Sequence, residues 1–354
     1  MMPIRRLSLI QAWSLLLLGA TLVGTEVEAQ PRITVIATGG GIAGVQADVQ
    51  SPAARAGSLP VESLVNSVPA IDRLAKLSTE QFANVGSQNI DERTWIKLAR
   101  RVNELQRDKE VDGIVVTHGT DTLEESAYFL DLVVQRTKPV VLVGAMRPAT
   151  AISADGPMNL YNAVAVAGSP EARGRGVLVV INDEIHAADD VQQRNTARLD
   201  AFHSPNHGRI GVVNTGVAVF YGRPPASSPR FSIPDEETLP RVDIIYAHAG
   251  MRRELIDAAA STGAKGIVLA GVGDGNAPAP VLSALSEAAH KGVTVVRSSR
   301  TGSGRVTRNM EVPDDRLGFV AALDLNPQKA RILLMLGLVK THDPAALQDL
   351  FARR

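Results

Sequence analysis

Thr120 and Asp121 place a hydroxyl beside a carboxylate in the run Gly113-Ile-Val-Val-Thr-His-Gly-Thr-Asp-Thr-Leu123. Ile114-Val115-Val116 reads as a short buried strand, and Leu123 to Gln135 as the amphipathic helix that follows it. The polar residues between them therefore fall on the carboxyl end of a strand, where ligands sit in open α/β sheets. A purely structural reading also exists. Thr122-x-x-Glu125 has the form of a capping box, with Gly119 allowing the tight turn. A cap does not require Thr120-Asp121.

Three further polar loops follow apolar runs: Thr38 to Gly44, Ser87-Gln88 and Gly271 to Asn276. Together the four offer hydroxyls, amides, a carboxylate and backbone N–H groups. That set suits a small zwitterion carrying its own carboxylate and ammonium, and the N–H groups could form an oxyanion hole. A threonine nucleophile would need an adjacent base, because its hydroxyl is weak at neutral pH. The glycines of Thr38 to Gly44 have neither the dinucleotide nor the phosphate-loop spacing. No Gly-x-Ser-x-Gly elbow is present.

The elements that must position these loops alternate. Strands are expected at Arg32 to Ala37, Phe82 to Val85, Ile114 to Val116, Val140 to Val143 and Val177 to Ile181. Helices are expected between them, at Val61 to Val68, Asp91 to Gln106, Leu123 to Gln135 and Met158 to Ala167. This order predicts an α/β fold with a larger N-terminal parallel-sheet domain covered by helices on both faces. Arg223 to Pro240 holds five prolines and reads as a linker. Beyond it, strands at Asp243 to Tyr246, Gly266 to Ala270 and Thr294 to Val296 predict a smaller C-terminal α/β domain. A last apolar helix is expected from Asn326 to Leu338. The expected boundaries are 1–29 for a leader, 30–222, 223–240 for the linker, and 241–354.

Of the 354 residues, 45% are hydrophobic and 21% charged, with zero formal net charge, so core material is ample and no nucleic-acid footprint appears. Aromatics at 4% argue against base-stacking platforms. The absence of cysteine excludes disulfides, thiolate nucleophiles and cysteine metal sites. Arg5-Arg6, the apolar stretch Leu7 to Val23 and small residues in Val27-Glu28-Ala29 have the layout of a cleaved export signal. An exported, periplasmic chain starting near Gln30 is expected, with no membrane association after processing. His203-x-x-x-His207 has metal-like spacing, but Pro205 disfavours the helix that would align the pair, so no metal site is expected.

The chain resembles the bacterial type II asparaginase (asparaginase/glutaminase) family from about Arg32 to its end. The likeness rests on Gly113-x-Val115-x-x-His118-Gly-Thr-Asp-Thr-Leu123, Gly144-Ala-Met-Arg-Pro148 and Ser153-Ala-Asp-Gly-Pro157-x-Asn-Leu160. It rests equally on Gly271-Val-Gly-x-Gly-Asn276, Val296-Arg-Ser-Ser-Arg300 and Asn326-Pro-Gln-Lys-Ala-Arg331. The resemblance implies a two-domain α/β fold, a homotetramer with sites shared between subunits, and no cofactor. It implies hydrolysis of L-asparagine to L-aspartate and ammonia through an acyl-enzyme. Substrate would be bound by Gly40, Gly41, Ser87, Gln88, Thr120 and Asp121. Asn276 and Glu311 would come from the neighbouring subunit, and Glu311 and Asp121 would meet the α-amino group.

Three departures fall on the chemistry. Gly41 stands where the family carries its nucleophilic threonine, Ala54 where it carries a lid tyrosine, and Gln193 where it carries a lysine. Arg194 is adjacent to the lysine slot, but one residue over it should point elsewhere, and a guanidinium cannot act as a base. Losing a nucleophile costs roughly 10⁶ in turnover in a well-studied protease. Losing a general base costs roughly 10²–10⁴. Two readings follow. One is an amidohydrolase with Thr120, or water directly, as the attacking group and Asp121 beside it. The other is an inactive relative that binds aspartate, asparagine or a related amino acid.

Overall fold

The computed structural model describes residues 29–47, 54–223, 231–235 and 238–353. The leader reading, apart from Ala29, lies outside the described residues, as does much of the Pro-rich segment. Among the described residues, no helix is long and apolar enough to cross a membrane.

An eight-stranded sheet runs from edge to edge as Val217–Phe220, Gly211–Asn214, Glu184–Ala187, Val177–Ile181, Val140–Val143, Gly113–Thr117, Arg32–Gly39 and Lys76–Val85. Its last five strands are mutually parallel. The expectation of a wholly parallel sheet is corrected at the other edge, where three successive pairings are antiparallel. Short hairpins make two of the three. Asn182 and Asp183 both adopt positive φ, 51° and 62°, as do Thr215 and Gly216, 48° and 82°. Two-residue turns of this kind match strand twist and return the chain antiparallel.

Central strands are buried on both faces, which accounts for their unbroken β-branched runs. Ile114 and Val116 face one layer with Glu92–Arg107 and Leu123–Val133, while Val115 faces the other with Gly156–Gly168. The strand read as Phe82 to Val85 begins six residues earlier, at Lys76. As the sheet's edge it is half exposed, so its first half carries polar residues that hide it from an apolar count.

The second sheet is parallel throughout: Val242–Tyr246, Gly266–Gly271, Thr294–Ser299 and Phe319–Ala321. The helix Pro327–Leu338 is buried almost all round and shares one apolar cluster with strands of both sheets. Asn326 caps it, its side-chain oxygen accepting from the Lys329 amide at 3.0 Å. The described part of the Pro-rich segment is packed rather than free. Phe231 is buried in that same cluster and its amide donates to the Leu132 carbonyl at 2.9 Å.

Candidate active site

Close packing at glycine brings three of the strand-end loops together. Gly40 has φ +79°, and a Cβ there would stand 2.2 Å from the Gly119 nitrogen. A Cβ on Gly119 would in turn meet the Ser87 hydroxyl at 2.6 Å. Only glycine allows backbones to approach so closely. The first loop is anchored further by Thr38, whose buried hydroxyl donates to the Thr117 carbonyl at 2.8 Å, and by the Gly40 amide, which donates to Val85 at 2.9 Å. Thr38–Gly41, Ser87–Gln88 and Gly119–Asp121 therefore share one point.

The expected capping box is not formed. Thr122 lies before Leu123–Val133 with φ −126° and ψ 19° and makes no cap hydrogen bond. An N-cap residue needs extended backbone to aim its oxygen at the first turn. The Thr122 hydroxyl instead donates to the Ser87 carbonyl at 2.8 Å, tying the two loops across the sheet. Thr120–Thr122 forms a 3₁₀ turn that presents Thr120 half buried and Asp121 exposed. The Thr120 methyl lies 3.2 Å from where a Cβ on Gly144 would stand.

Gly41 differs from Gly40. Its φ lies outside the left-handed region, and among the described residues an added Cβ would touch within 4 Å only the Ala145 carbonyl oxygen, at 3.5 Å. The slot is open and would accept a side chain. The loop carrying Ala145 is fixed by Asp155, whose carboxylate accepts from the Met146 and Arg147 amides, both at 2.9 Å. The motif Ser153-Ala-Asp-Gly156 held this residue, but nothing in its spacing revealed the role.

Gln193 lies on the short strand Gln192–Gln193, with its side-chain nitrogen 4.0 Å from the Met146 sulfur and donating to Asn195 at 3.2 Å. Arg194 turns toward Gln192 and lies against Gly302 of the second domain, so its guanidinium follows a different course from Gln193. Ala54 pairs in register with Gln46, and residues 48–53 between them lie outside the described residues.

Asn276 and Glu311 meet each other: the Asn276 amide donates to Glu311 at 2.8 Å. Among the described residues, no hydrogen bond joins this pair to Thr120, Asp121, Ser87 or Gln88. The loop of Asn276 is held by Arg297, a fully buried guanidinium paired with buried Asp314 at 2.5 Å. Arg297 also donates to the carbonyls of Asp274 at 2.9 Å and Gly275 at 3.2 Å. The sequence displayed Arg297 only as part of a strand-end motif, and its partner lies 17 residues on.

His118 is fully buried beneath the site. Its Nδ1 lies 2.7 Å from the Gly119 carbonyl, and burial lowers its pKa to about 4, so it is neutral at physiological pH. Among the described residues its Nε2 has no hydrogen-bond partner. His203 lies on the strand Phe202–His203, and His207 falls in the loop beyond it. His207 faces Asp324 at 3.3 Å and Asp190 at 3.7 Å.

Comparison with known proteins agrees with the motifs. Residues 32–226 match the family described as "Asparaginase, N-terminal", and residues 241–351 match "Glutaminase/Asparaginase C-terminal domain". The chain is 48% identical to the "Probable L-asparaginase periplasmic" of Haemophilus influenzae, over 91% of this chain and 92% of that protein. It is 49% identical to "L-asparaginase 2" of Bacillus subtilis, over 92% and 88% respectively. The crystal structure of a "Probable Cytoplasmic L-asparaginase" from Campylobacter jejuni aligns with a TM-score of 0.88 at 43% identity, covering 92% of this chain and all of that one.

Proposed function

We propose that this chain, which belongs to the asparaginase family, is an amidohydrolase that converts L-asparagine and water to L-aspartate and ammonia, at a rate reduced by the residues at Gly41, Ala54 and Gln193. The observation that carries the reading is the convergence of Thr38–Gly41, Ser87–Gln88 and Thr120–Asp121 at the Gly40–Gly119 contact. In this reading Ser87 and Gln88 hold the substrate's carboxylate end, and Asp121 pairs with its ammonium. The Thr120 hydroxyl adds to the side-chain carbonyl, and ammonia leaves with the hydroxyl's proton. Water then cleaves the ester, regenerating Thr120 and releasing aspartate.

One observation favours a second reading, a protein that binds aspartate or asparagine without turnover. The slot at Gly41 is open where a hydroxyl would be needed, and Gln193 offers a neutral amide in place of an ammonium. Ammonia release by the purified mature chain, paired with calorimetry against L-aspartate, separates the two. Turnover of L-asparagine above a heat-killed control supports the hydrolase; binding without turnover replaces it with the binding protein.

The domain limits 30–222 and 241–354, export through residues 1–29, and a homotetramer in which Asn276 and Glu311 complete a neighbour's site belong to the same proposal. The Haemophilus relative is named periplasmic and the Campylobacter one cytoplasmic, so export is tested directly, by N-terminal sequencing of chain recovered from the periplasm. Light scattering on the mature protein tests the tetramer.

A further inference from the structure

A buried ionic cluster lies where the two domains meet behind Gln193. Lys329 of the helix Pro327–Leu338 is fully buried, and its ammonium donates to the Val191 carbonyl. Glu124, second residue of the helix that follows Thr120–Thr122, is buried as well. Its carboxylate faces Lys329, the Gln193 backbone, the Asn326 side chain and Arg194. Asp189, Asp190 and Glu125 complete the acidic surroundings of the ammonium. Burial pushes the Lys329 pKa down and the Glu124 pKa up, so each opposes the other's isolation.

A buried lysine is costly unless it is paired and hydrogen-bonded. Here the first domain supplies both: the charge of a carboxylate three residues beyond Asp121, and a hydrogen bond to the carbonyl two residues before Gln193. We propose that Lys329 and Glu124 are positioning residues: the Lys329 ammonium holds the Val191 carbonyl, the Glu124 carboxylate lies against that ammonium and the Gln193 backbone, and together they set Gln193 beside Met146. The helix Pro327–Leu338 thereby conveys the packing of the second domain to the site of the first. The inference rests on the reading of Thr120–Asp121 as part of an amino-acid site, but one of its two readouts does not.

The test uses the mature full-length chain and the variants Lys329→Met, Glu124→Gln and their combination. L-Aspartate binding is followed by calorimetry, and hydrogen exchange over residues 188–196 by mass spectrometry. Each single variant should raise exchange at Val191–Gln193 at least tenfold and weaken L-aspartate binding at least tenfold. The double variant should bind better than Lys329→Met, because it no longer leaves a carboxylate buried without its cation. Unchanged exchange at 191–193 in a folded single variant overturns the proposal, even if its melting temperature falls. If Lys329→Met does not fold, Glu124→Gln, which preserves shape, carries the same test. Failure of the wild type to bind L-aspartate counts against the amino-acid site, and the exchange measurement still decides the clamp.

Discussion

The Thr122 hydroxyl donates to the main-chain carbonyl of Ser87 across 2.8 Å, joining two loops that are 35 residues apart. Among the described residues it is the one side-chain hydrogen bond between Ser87–Gln88 and Thr120–Thr122. Thr122→Val keeps the shape and removes the donor, at a net cost of roughly 1 kcal/mol. We expect L-aspartate to bind about five- to tenfold more weakly, and Thr122→Ser to restore most of the loss. Equal calorimetric affinities for Thr122→Val and wild type would show that the tie does not shape the site.

Adjacent glycines should respond oppositely to substitution. Gly40→Ala drives a methyl into the Gly119 backbone at a positive φ, so binding should be lost and the melting temperature should drop. Gly41→Ala meets, among the described residues, only a carbonyl at ordinary contact distance, and its stability should stay within about 0.5 kcal/mol of wild type. The open slot also permits Gly41→Thr. Combined with Ala54→Tyr and Gln193→Lys, it should raise ammonia release from L-asparagine by orders of magnitude. A folded triple variant no faster than wild type would mean that these slots are misassigned.

Arg297 and Asp314 make a prediction of a different kind, about the loop that carries Asn276. Truncating one member of a buried ion pair leaves the other uncompensated and costs about 3–5 kcal/mol. Arg297→Met should therefore unfold at clearly lower denaturant than wild type. It should also free the Asp274 and Gly275 carbonyls that the guanidinium holds, loosening Asn276. Urea titration and hydrogen exchange over 271–277 check both parts; a stable variant with an unaltered loop would contradict them.

The residues differ in how far the sequence revealed them. Strands such as Gly113–Thr117 were legible because burial on both faces demands an unbroken β-branched run. The loops after them were legible because small and polar residues interrupt those runs. The antiparallel edge was present as Asn182-Asp183, yet two polar residues between apolar runs also suit an ordinary loop, and the helix-strand alternation outweighed them. The ties that shape the site were not legible. Thr122 to Ser87, Asp155 to Met146, and Lys329 to Val191 join residues whose proximity depends on tertiary packing, and Thr122 had a local alternative in the capping box. Gly40 and Gly41 are chemically identical, and only the approach of Gly119 separates their roles.

Two buried histidines fix a pH dependence whose sign can be worked out. Burial lowers His118 and His186 from 6.5 to about 4. His186 sits 3.0 Å from the Ser204 hydroxyl, with the positive charges of Arg209 and Lys329 adding to the effect of burial. Between pH 6.5 and 4 the unfolded chain binds protons at these positions that the folded chain does not. Stability therefore rises with pH across that window and is lost as pH falls through it. Each histidine contributes up to about 3 kcal/mol, at roughly 1.4 kcal/mol per unit of pKa. Urea unfolding of the mature chain at pH 6.5, 5.5 and 4.5 should show a progressive loss. His118→Gln removes one titrating group and should make that loss shallower, whatever it does to absolute stability. If the slope of stability against pH is the same in wild type and His118→Gln, His118 is not held neutral by the fold.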